Sequence, residues 1–173
     1  VQNLEFKAEL RDLPLARGAC RAADARPVGT LTQTDTFFRI PTGRLKKRET
    51  SIDGVPDPVE YIEYMRDNRA GPRVSRFTIR AEDEFRERFG LEDPPTDVVV
   101  SKTREVWMLD RARVHLDQVQ GLGDFIEFEI LITKECNMAR AHHLMINLRN
   151  RFGPCLGEPI SSSYADLLRE SSA

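Results

Sequence analysis

Several segments of the chain alternate apolar and charged residues, which is the pattern of β-strands with two unlike faces. In residues 4–10, glutamate and lysine alternate with leucine, phenylalanine and alanine. Because the side chains of a strand point alternately to opposite faces, such a segment carries its charges on one face and its apolar residues on the other. The sign of the charge is sorted by segment, since cations crowd residues 44–48 and 102–104, whereas residues 125–130 carry carboxylates.

Two interpretations of these charged faces are open. Antiparallel sheets commonly keep one face in water, and the charged face is then simply the solvated one. The sorting by sign favours a different interpretation, because like charges repel and a solvated surface ordinarily mixes both signs. If the charged faces share one space, cations in one part and carboxylates in another would suit a polyphosphate accompanied by a divalent metal.

The pattern predicts about eight strands, mostly joined as hairpins. They cover residues 3–10, 36–40, 44–51, 60–66, 74–80, 98–109, 113–120 and 125–133. Asp12 is a suitable N-cap for a helix that runs to Ala23, and further helices are predicted over residues 82–89 and 137–151. A proline and a glycine in residues 41–43 predict the tight turn between the second and third strands.

About eight hairpin-joined strands are enough to close a barrel and leave no exposed edge. We therefore predict an α+β protein, mainly β, in which an eight-stranded antiparallel closed β-barrel is covered by a few helices. From the pattern alone, the charged faces can point outward to water or inward into a polar tunnel. An inward arrangement requires helices over an apolar outer surface, and Leu144, Leu148 and Phe152 lie at the helical spacing that suits such a cover.

Composition narrows the class of protein. The 173 residues fit one domain over residues 1–173, and a charged fraction of 31% predicts a folded, highly charged protein. The net charge of −2 argues against a nucleic-acid partner, so any cationic site must be local. No apolar stretch approaches the roughly 20 residues of a membrane-spanning helix. Cys20, Cys136 and Cys155 lack the paired spacing of a disulfide framework or a zinc site, and the expected location is the cytoplasm.

A set of short motifs carries a resemblance to a known family. They are Asn3-Leu4-Glu5-Phe6-Lys7, Gly43-Arg44-Leu45-Lys46-Lys47-Arg48-Glu49, Lys102-Thr103-Arg104, His115-Leu116-Asp117, Gly121-Leu122-Gly123 and Phe125-Ile126-Glu127-Phe128-Glu129. In order and spacing they resemble the CYTH family, or triphosphate tunnel metalloenzymes, and most of all its class IV adenylate cyclase-like branch. The resemblance extends to residues 163–168. It implies an eight-stranded tunnel that binds a triphosphate inside with Mg²⁺ or Mn²⁺, and it selects the inward arrangement.

The resemblance turns the charged positions into a candidate site. Guanidinium groups grip phosphate oxygens with planar forks, ammonium groups act as compact charges, and carboxylates are hard ligands for Mg²⁺. The candidate phosphate-binding residues are Lys7, Arg44, Lys46, Arg48, Arg66, Arg76, Lys102 and Arg104. The candidate catalytic residues are Lys7 and Arg104, and the candidate metal ligands are Glu5, Asp117, Glu127 and Glu129.

Some of these assignments have a structural alternative. Glu127 and Glu129 can instead pair with Arg44 or Arg104 across the barrel. His115 shares the face of the metal-ligand candidates, and it either enters the tunnel or serves as a hydrogen-bonded packing residue.

The predicted function is that of a divalent-metal-dependent enzyme acting on a triphosphate. The reaction is either cyclisation of ATP to cyclic AMP and pyrophosphate, or hydrolysis of a nucleotide, thiamine triphosphate or tripolyphosphate. The alternative is a non-catalytic module that binds polyphosphate or a nucleotide. Asn3 bears on this choice, because it stands where the family motif Glu-x-Glu-x-Lys has its first glutamate and thus removes one negative charge from the metal site. No nucleic-acid or membrane partner is expected, and a homodimer is left open.

Overall fold

The computed structural model describes residues 1–172, which form ten strands and four α-helices. The strands are β1 (Gln2–Leu10), β2 (Arg26–Phe38), β3 (Arg44–Ile52), β4 (Val55–Pro56), β5 (Glu60–Arg66), β6 (Arg73–Ala81), β7 (Thr96–Leu109), β8 (Ala112–Val119), β9 (Gly123–Leu131) and β10 (Leu156–Pro159). The α-helices are α1 (Leu13–Ala22), α2 (Glu82–Phe89), α3 (Met138–Arg151) and α4 (Tyr164–Ser171), and a 3₁₀ turn spans Gly153–Cys155.

Eight of the strands close into one antiparallel barrel. Their order around the barrel is β1, β6, β5, β3, β2, β7, β8 and β9, and β9 pairs again with β1. The other two strands lie outside the circuit, because β4 pairs with β3 and β10 pairs with the end of β1. The predicted fold class, an α+β protein built on an eight-stranded closed barrel, is confirmed.

The apolar face of the barrel points outward and the charged face points inward. On β9, Ile126, Phe128 and Ile130 are fully buried in a core outside the barrel wall, while the glutamates between them line the interior cavity. Helices α1 and α3 supply the cover for this outer surface, with Cys20 and Met145 among the buried residues that pack on it. The inward arrangement of the charges is therefore the correct one.

Helix α4 packs against the barrel through a second, smaller core. Tyr164 and Ala165 at its start are buried with Phe37, Val100 and Phe125. Its N-terminus is fixed by a capping box, in which the Ser163 hydroxyl and the Asp166 carboxylate satisfy each other's backbone N–H groups. This helix brings side chains from the tail of the chain into contact with the barrel lining.

Most strand predictions are confirmed to within a few residues, and the differences lie in β2, in the unpredicted two-residue strand β4 and in the tail. Strand β2 begins at Arg26, whereas the sequence predicted a strand only from residue 36. Pro27 and Gly29 flank a bulge in a long pairing of β2 with β7, which such residues accommodate. The tail elements β10 and α4 were not predicted. No helix within residues 1–172 is long and apolar enough to cross a membrane.

Candidate functional site

The barrel encloses a cavity of about 410 Å³ whose lining is rich in charge. Its ionisable lining residues are Lys7, Lys46, Arg48, Arg66, Lys102, Arg104, Arg113, Glu5, Asp35, Glu127, Glu129, His115, Tyr64 and Tyr164. Seven of these are lysine or arginine and four are carboxylates. The cavity therefore carries an excess of positive charge inside a chain whose net charge is −2, which is the local concentration that an anion site needs.

Three of the cations converge on one buried carboxylate, Asp35. Lys46 Nζ and Lys102 Nζ each lie 2.9 Å from Asp35 Oδ2, and Arg48 binds both carboxylate oxygens at 2.7 Å. Burial favours the neutral forms of the lysines, and it lowers the pKa of Lys46 to about 7 and that of Lys102 to about 8. Burial also acts to raise the pKa of Asp35, but the three cations outweigh it and hold that pKa well below its usual value. We call this group the Asp35 cluster.

Arg104 is held from two sides by carboxylates. It makes two hydrogen bonds with Asp117, at 2.7 and 2.6 Å, and a third with Glu127 Oε2 at 2.8 Å. The hydroxyl of Tyr164 donates to Asp117 Oδ2 at 2.6 Å. Burial acts to raise the pKa of Asp117, but the charge and hydrogen bonds of Arg104 hold it below its ordinary value. The guanidinium is therefore fixed in orientation before any ligand arrives.

Lys7 and His115 both approach Glu127. Lys7 Nζ lies 3.8 Å from Glu127 Oε1 and 3.9 Å from the centre of the Tyr164 ring. His115 Nδ1 lies 3.6 Å from Glu127 Oε2 and has no hydrogen-bond partner. His115 thus lies in the cavity lining, which was one of the two alternatives for it.

Glu5 on β1 binds two arginines that come from different strands, Arg66 on β5 and Arg73 on β6. Its Oε1 atom accepts from Arg66 Nη1 at 2.8 Å and from Arg73 Nε at 2.9 Å. The Nε and Nη2 atoms of Arg66 are buried and have no partner. Because an unpaired buried donor costs about 1–3 kcal/mol, these atoms are a ready site for an anionic oxygen.

The carboxylates of β1 and β9 are the candidate ligands for a divalent metal. Glu5 and Glu129 are direct partners across the two strands, and Asn3 Nδ2 donates to Glu129 Oε1. The other amide atom, Asn3 Oδ1, is buried without a partner and is thus free to bind a cation. Within residues 1–172, however, no three His, Cys, Asp or Glu side chains are grouped for metal binding.

This donor set fits one kind of metal site and not another. Mg²⁺ usually binds through one or two carboxylates together with substrate phosphates and waters. Two glutamates and an amide oxygen match that arrangement. They do not match an ion held by protein groups alone, since Glu5 and Glu129 already accept hydrogen bonds from arginines.

Three of the predicted site residues lie outside the cavity lining. Arg76 is exposed on the outer face of β6, because it has the opposite parity to Ser75 and Phe77, which line the cavity. Arg44 is turned toward α4, where it binds Asp166 at 3.0 Å. Asp117 is fully buried behind Arg104, which donates hydrogen bonds to it.

The sequence did not single out three residues that the structure makes central. Asp35 is a lone acid among threonines, Arg73 was not included in the cationic lining, and Tyr164 belongs to a helix that was not predicted. The alternation of residues 33, 35 and 37 with threonines was a usable signal for Asp35, since it gives Asp35 the parity of an inward residue. For Tyr164 the usable signal was Ser163 followed three residues later by Asp166, which is the spacing of a capping box.

No protein-family model matches the sequence, and no curated protein sequence matches it. Solved structures do match. A putative adenylate cyclase from Vibrio parahaemolyticus superimposes with a TM-score of 0.72 at 19% identity, over 96% of this chain and 97% of that one. A putative adenylyl cyclase from Hippeastrum with a dominant triphosphatase activity has a TM-score of 0.64 at 15% identity, over 98% and 96%.

A third match shows the same fold in another setting. A chain of the Schizosaccharomyces pombe Mediator head module has a TM-score of 0.65 at 10% identity, over 91% of this chain and 97% of that one. The chain thus shares the fold of these solved structures, and the resemblance predicted from the sequence is confirmed at the level of the fold. At these identities the likeness establishes the fold and not the activity.

Proposed function

We propose that the chain is an enzyme that binds a triphosphate inside its barrel and, with a divalent metal, catalyses either cyclisation or hydrolysis. The observation that carries the proposal is the cavity itself. Its lining holds an excess of cations, and two buried guanidinium nitrogens of Arg66 have no partner. An anion of several linked charges would satisfy both features.

Binding of the phosphate chain is assigned to six of the seven cations that line the cavity, all but Arg113. They are Lys7, Lys46, Arg48, Arg66, Lys102 and Arg104. Arg104 is pre-oriented by two carboxylates, so little freedom is lost when it contacts a phosphate oxygen. Lys7 and Arg104 both approach Glu127, which makes them the candidates to stabilise charge that develops on the phosphoryl group under attack.

An Mg²⁺ or Mn²⁺ ion bound jointly by the protein and the substrate phosphates would be held by Glu5, Glu129 and the Asn3 oxygen. Glu127 is a further candidate ligand on the same strand as Glu129. When bound, it would withdraw charge from phosphate oxygens. The chain's own contribution is separate from this. Its cations bind and orient the phosphates, and the enclosed barrel limits the access of water.

The nucleophile decides the reaction. If water attacks the terminal phosphorus, the bond to its bridging oxygen breaks, and orthophosphate and a diphosphate are released. If the ribose 3′-hydroxyl of ATP attacks the α-phosphorus, cyclic AMP forms and pyrophosphate leaves. Both reactions are supported by the structural matches, since the Vibrio protein is named as a putative adenylate cyclase and the Hippeastrum protein has a dominant triphosphatase activity.

The test is to incubate the purified chain with ATP, thiamine triphosphate or tripolyphosphate in the presence of Mg²⁺ or Mn²⁺. Orthophosphate, pyrophosphate and cyclic AMP are measured separately. Turnover that is lost in Arg104→Gln but kept in Arg76→Gln is the expected result. Cyclic AMP would identify a cyclase, and orthophosphate alone a triphosphatase. Absence of all three products with every substrate would refute the enzyme.

A second candidate is a module that binds polyphosphate or a nucleotide without turnover. It is favoured by the pairing of Glu5 and Glu129 with arginines and by the amide at Asn3. Calorimetry separates the two candidates, since the module would bind tripolyphosphate tightly in EDTA and gain nothing from added metal. The enzyme would bind more tightly, or turn over, when metal is restored.

We also propose that the protein works in the cytoplasm. The three cysteines are buried and unpaired, which supports a reducing compartment. A triphosphate small molecule is its proposed ligand, and no nucleic acid or membrane is proposed as a partner.

A further inference from the structure

Asp35 is the one carboxylate of the lining that lies among phosphate-binding cations alone. The cluster is built from three neighbouring strands, with Asp35 on β2, Lys46 and Arg48 on β3, and Lys102 on β7. Asp35 is 2% exposed and is the direct cross-strand partner of Arg48. A single oxygen, Oδ2, accepts from Lys46, Lys102 and Arg48 together.

We propose that Asp35 is a positioning residue of the anion site, which holds Lys46, Arg48 and Lys102 side by side and keeps their charge available to a bound phosphate chain. The inference rests on the proposed function, because it assumes that the cavity binds a polyphosphate. It goes beyond that function by assigning a role to a carboxylate that neither binds the phosphate nor ligates a metal.

The charge of the cluster supports this role. One carboxylate against three cations leaves the cluster positive, so Asp35 does not cancel its attraction for anions. Each ammonium and the guanidinium also keep N–H donors beyond those given to Asp35. Without the carboxylate, three like charges would be buried in contact with one another, and they would separate or lose protons.

The role of Asp35 can be measured through the protonation of Lys46 and Lys102. Burial and the neighbouring charge of Arg48 lower the pKa of Lys46, and burial lowers that of Lys102, whereas Asp35 opposes both effects. The other groups that face the two lysines are Arg104 and Asp117, near Lys102, and Tyr64, whose ring centre is 5.7 Å from Lys46 Nζ. None of these is a carboxylate in contact with Lys46. Loss of Asp35 should thus lower the pKa of both lysines further.

The experiment measures tripolyphosphate affinity by calorimetry in EDTA between pH 5.5 and 8.5, for the natural chain and for Asp35→Asn. Titration of the ligand itself cancels in the ratio of the two affinities at each pH. We expect Asp35→Asn to bind within about twofold of the natural chain at pH 6 and about tenfold more weakly at pH 8, where the lysines lose their charge. The control Asp57→Asn, an exposed carboxylate outside the lining, should match the natural chain throughout.

A loss of affinity that is uniform with pH would indicate only damaged structure and would overturn the proposal, as would no loss at all. If the natural chain binds tripolyphosphate neither in EDTA nor with Mg²⁺ restored, the proposed function is wrong, and that failure is visible before any variant is made. If Asp35→Asn fails to fold, the comparison is made between Lys102→Gln and the double variant Lys102→Gln/Asp35→Asn. The double variant leaves two buried cations without a carboxylate, instead of three. Equal pH midpoints of binding in that pair would then refute the role of Asp35.

Discussion

At the scale of single residues, the unpartnered nitrogens of Arg66 give the sharpest test of the anion site. We expect Arg66→Gln to weaken tripolyphosphate binding about tenfold, because a guanidinium that meets a phosphate with charge-assisted hydrogen bonds is replaced by a neutral amide. Glu5 keeps Arg73 as a partner, so the variant should fold. Calorimetry at pH 7 measures the effect.

Arg76 is the matched control for this variant. It lies on the adjacent strand β6, opposite Met65, and is exposed on the outer face. Arg76→Gln should leave the affinity within about twofold, since exposed charges at a distance are largely screened. Equal losses in the two variants would mean that attraction depends on net charge and that the cavity is not the binding site.

The same pair of residues shows what alternation can predict and what it cannot. Parity along a strand correctly placed Lys46, Lys102 and Glu127 inside the barrel. Arg76 was assigned to the lining only as a cation on a middle strand, whereas its parity, opposite to that of Ser75 and Phe77, places it on the outer face. Contacts across strands, such as the convergence of three cations on Asp35, depend on strand register. They cannot be predicted from the residue pattern of a single segment.

At the scale of elements, helix α4 contributes to the site through Tyr164. Tyr164→Phe removes the hydroxyl that donates to Asp117 Oδ2 at 2.6 Å. A hydrogen bond to a buried carboxylate is worth about 1–3 kcal/mol, so the free energy of unfolding should fall by about that amount. Urea denaturation followed by circular dichroism measures it, and an unchanged midpoint would show that the contact adds no stability.

The elements themselves differed in how far they could be predicted. Helix α2 was predicted with its observed bounds, because Phe85 and Phe89 lie one turn apart and Gly90 follows. Helix α4 is as short as α2, and its capping box of Ser163 and Asp166 was not used as a helix signal, while strand β10 has only four residues and is positioned by its pairing with β1. The part of the site that comes from the tail of the chain was missed for that reason.

At the scale of the whole molecule, the buried lysines predict an unusual dependence of stability on pH. The folded chain holds the pKa of Lys46 at about 7 and that of Lys102 at about 8, below the ordinary value of 10.5. Between the folded and unfolded values the unfolded chain binds more protons, so the free energy of unfolding must rise with pH. We expect a rise of about 1.5 kcal/mol per pH unit between pH 7 and 8.5 in the absence of ligand.

Urea denaturation at several pH values measures this slope, and the window stops below pH 9 because thiols of the unfolded chain begin to ionise there. Lys46→Met should flatten the slope. Lys47→Met is the matched control, since Lys47 has the opposite parity and pairs with Glu49 at 3.6 Å. A flat or falling stability in the natural chain would contradict the predicted protonation of the cavity.

The cavity as a whole also has two unlike parts, because aliphatic side chains line one part of it and charged side chains line the other. Leu31 and Ile52 are cross-strand partners, Ile62 and Ile79 are another such pair, and all four line the same cavity as the cations. An inorganic triphosphate has no group to place against them. An organic triphosphate does, so ATP or thiamine triphosphate should bind more tightly than tripolyphosphate.

Ile79→Asn tests this preference for an organic triphosphate, with Val99→Asn as its control. The two side chains have nearly equal exposure, 47% and 48%, but Val99 lies outside the cavity lining. We expect Ile79→Asn to weaken ATP binding about fivefold, or about 1 kcal/mol, through lost apolar contact, while tripolyphosphate binding changes by less than about twofold. If both ligands weaken equally, the aliphatic lining does not select the organic group, and the phosphate chain alone would account for affinity.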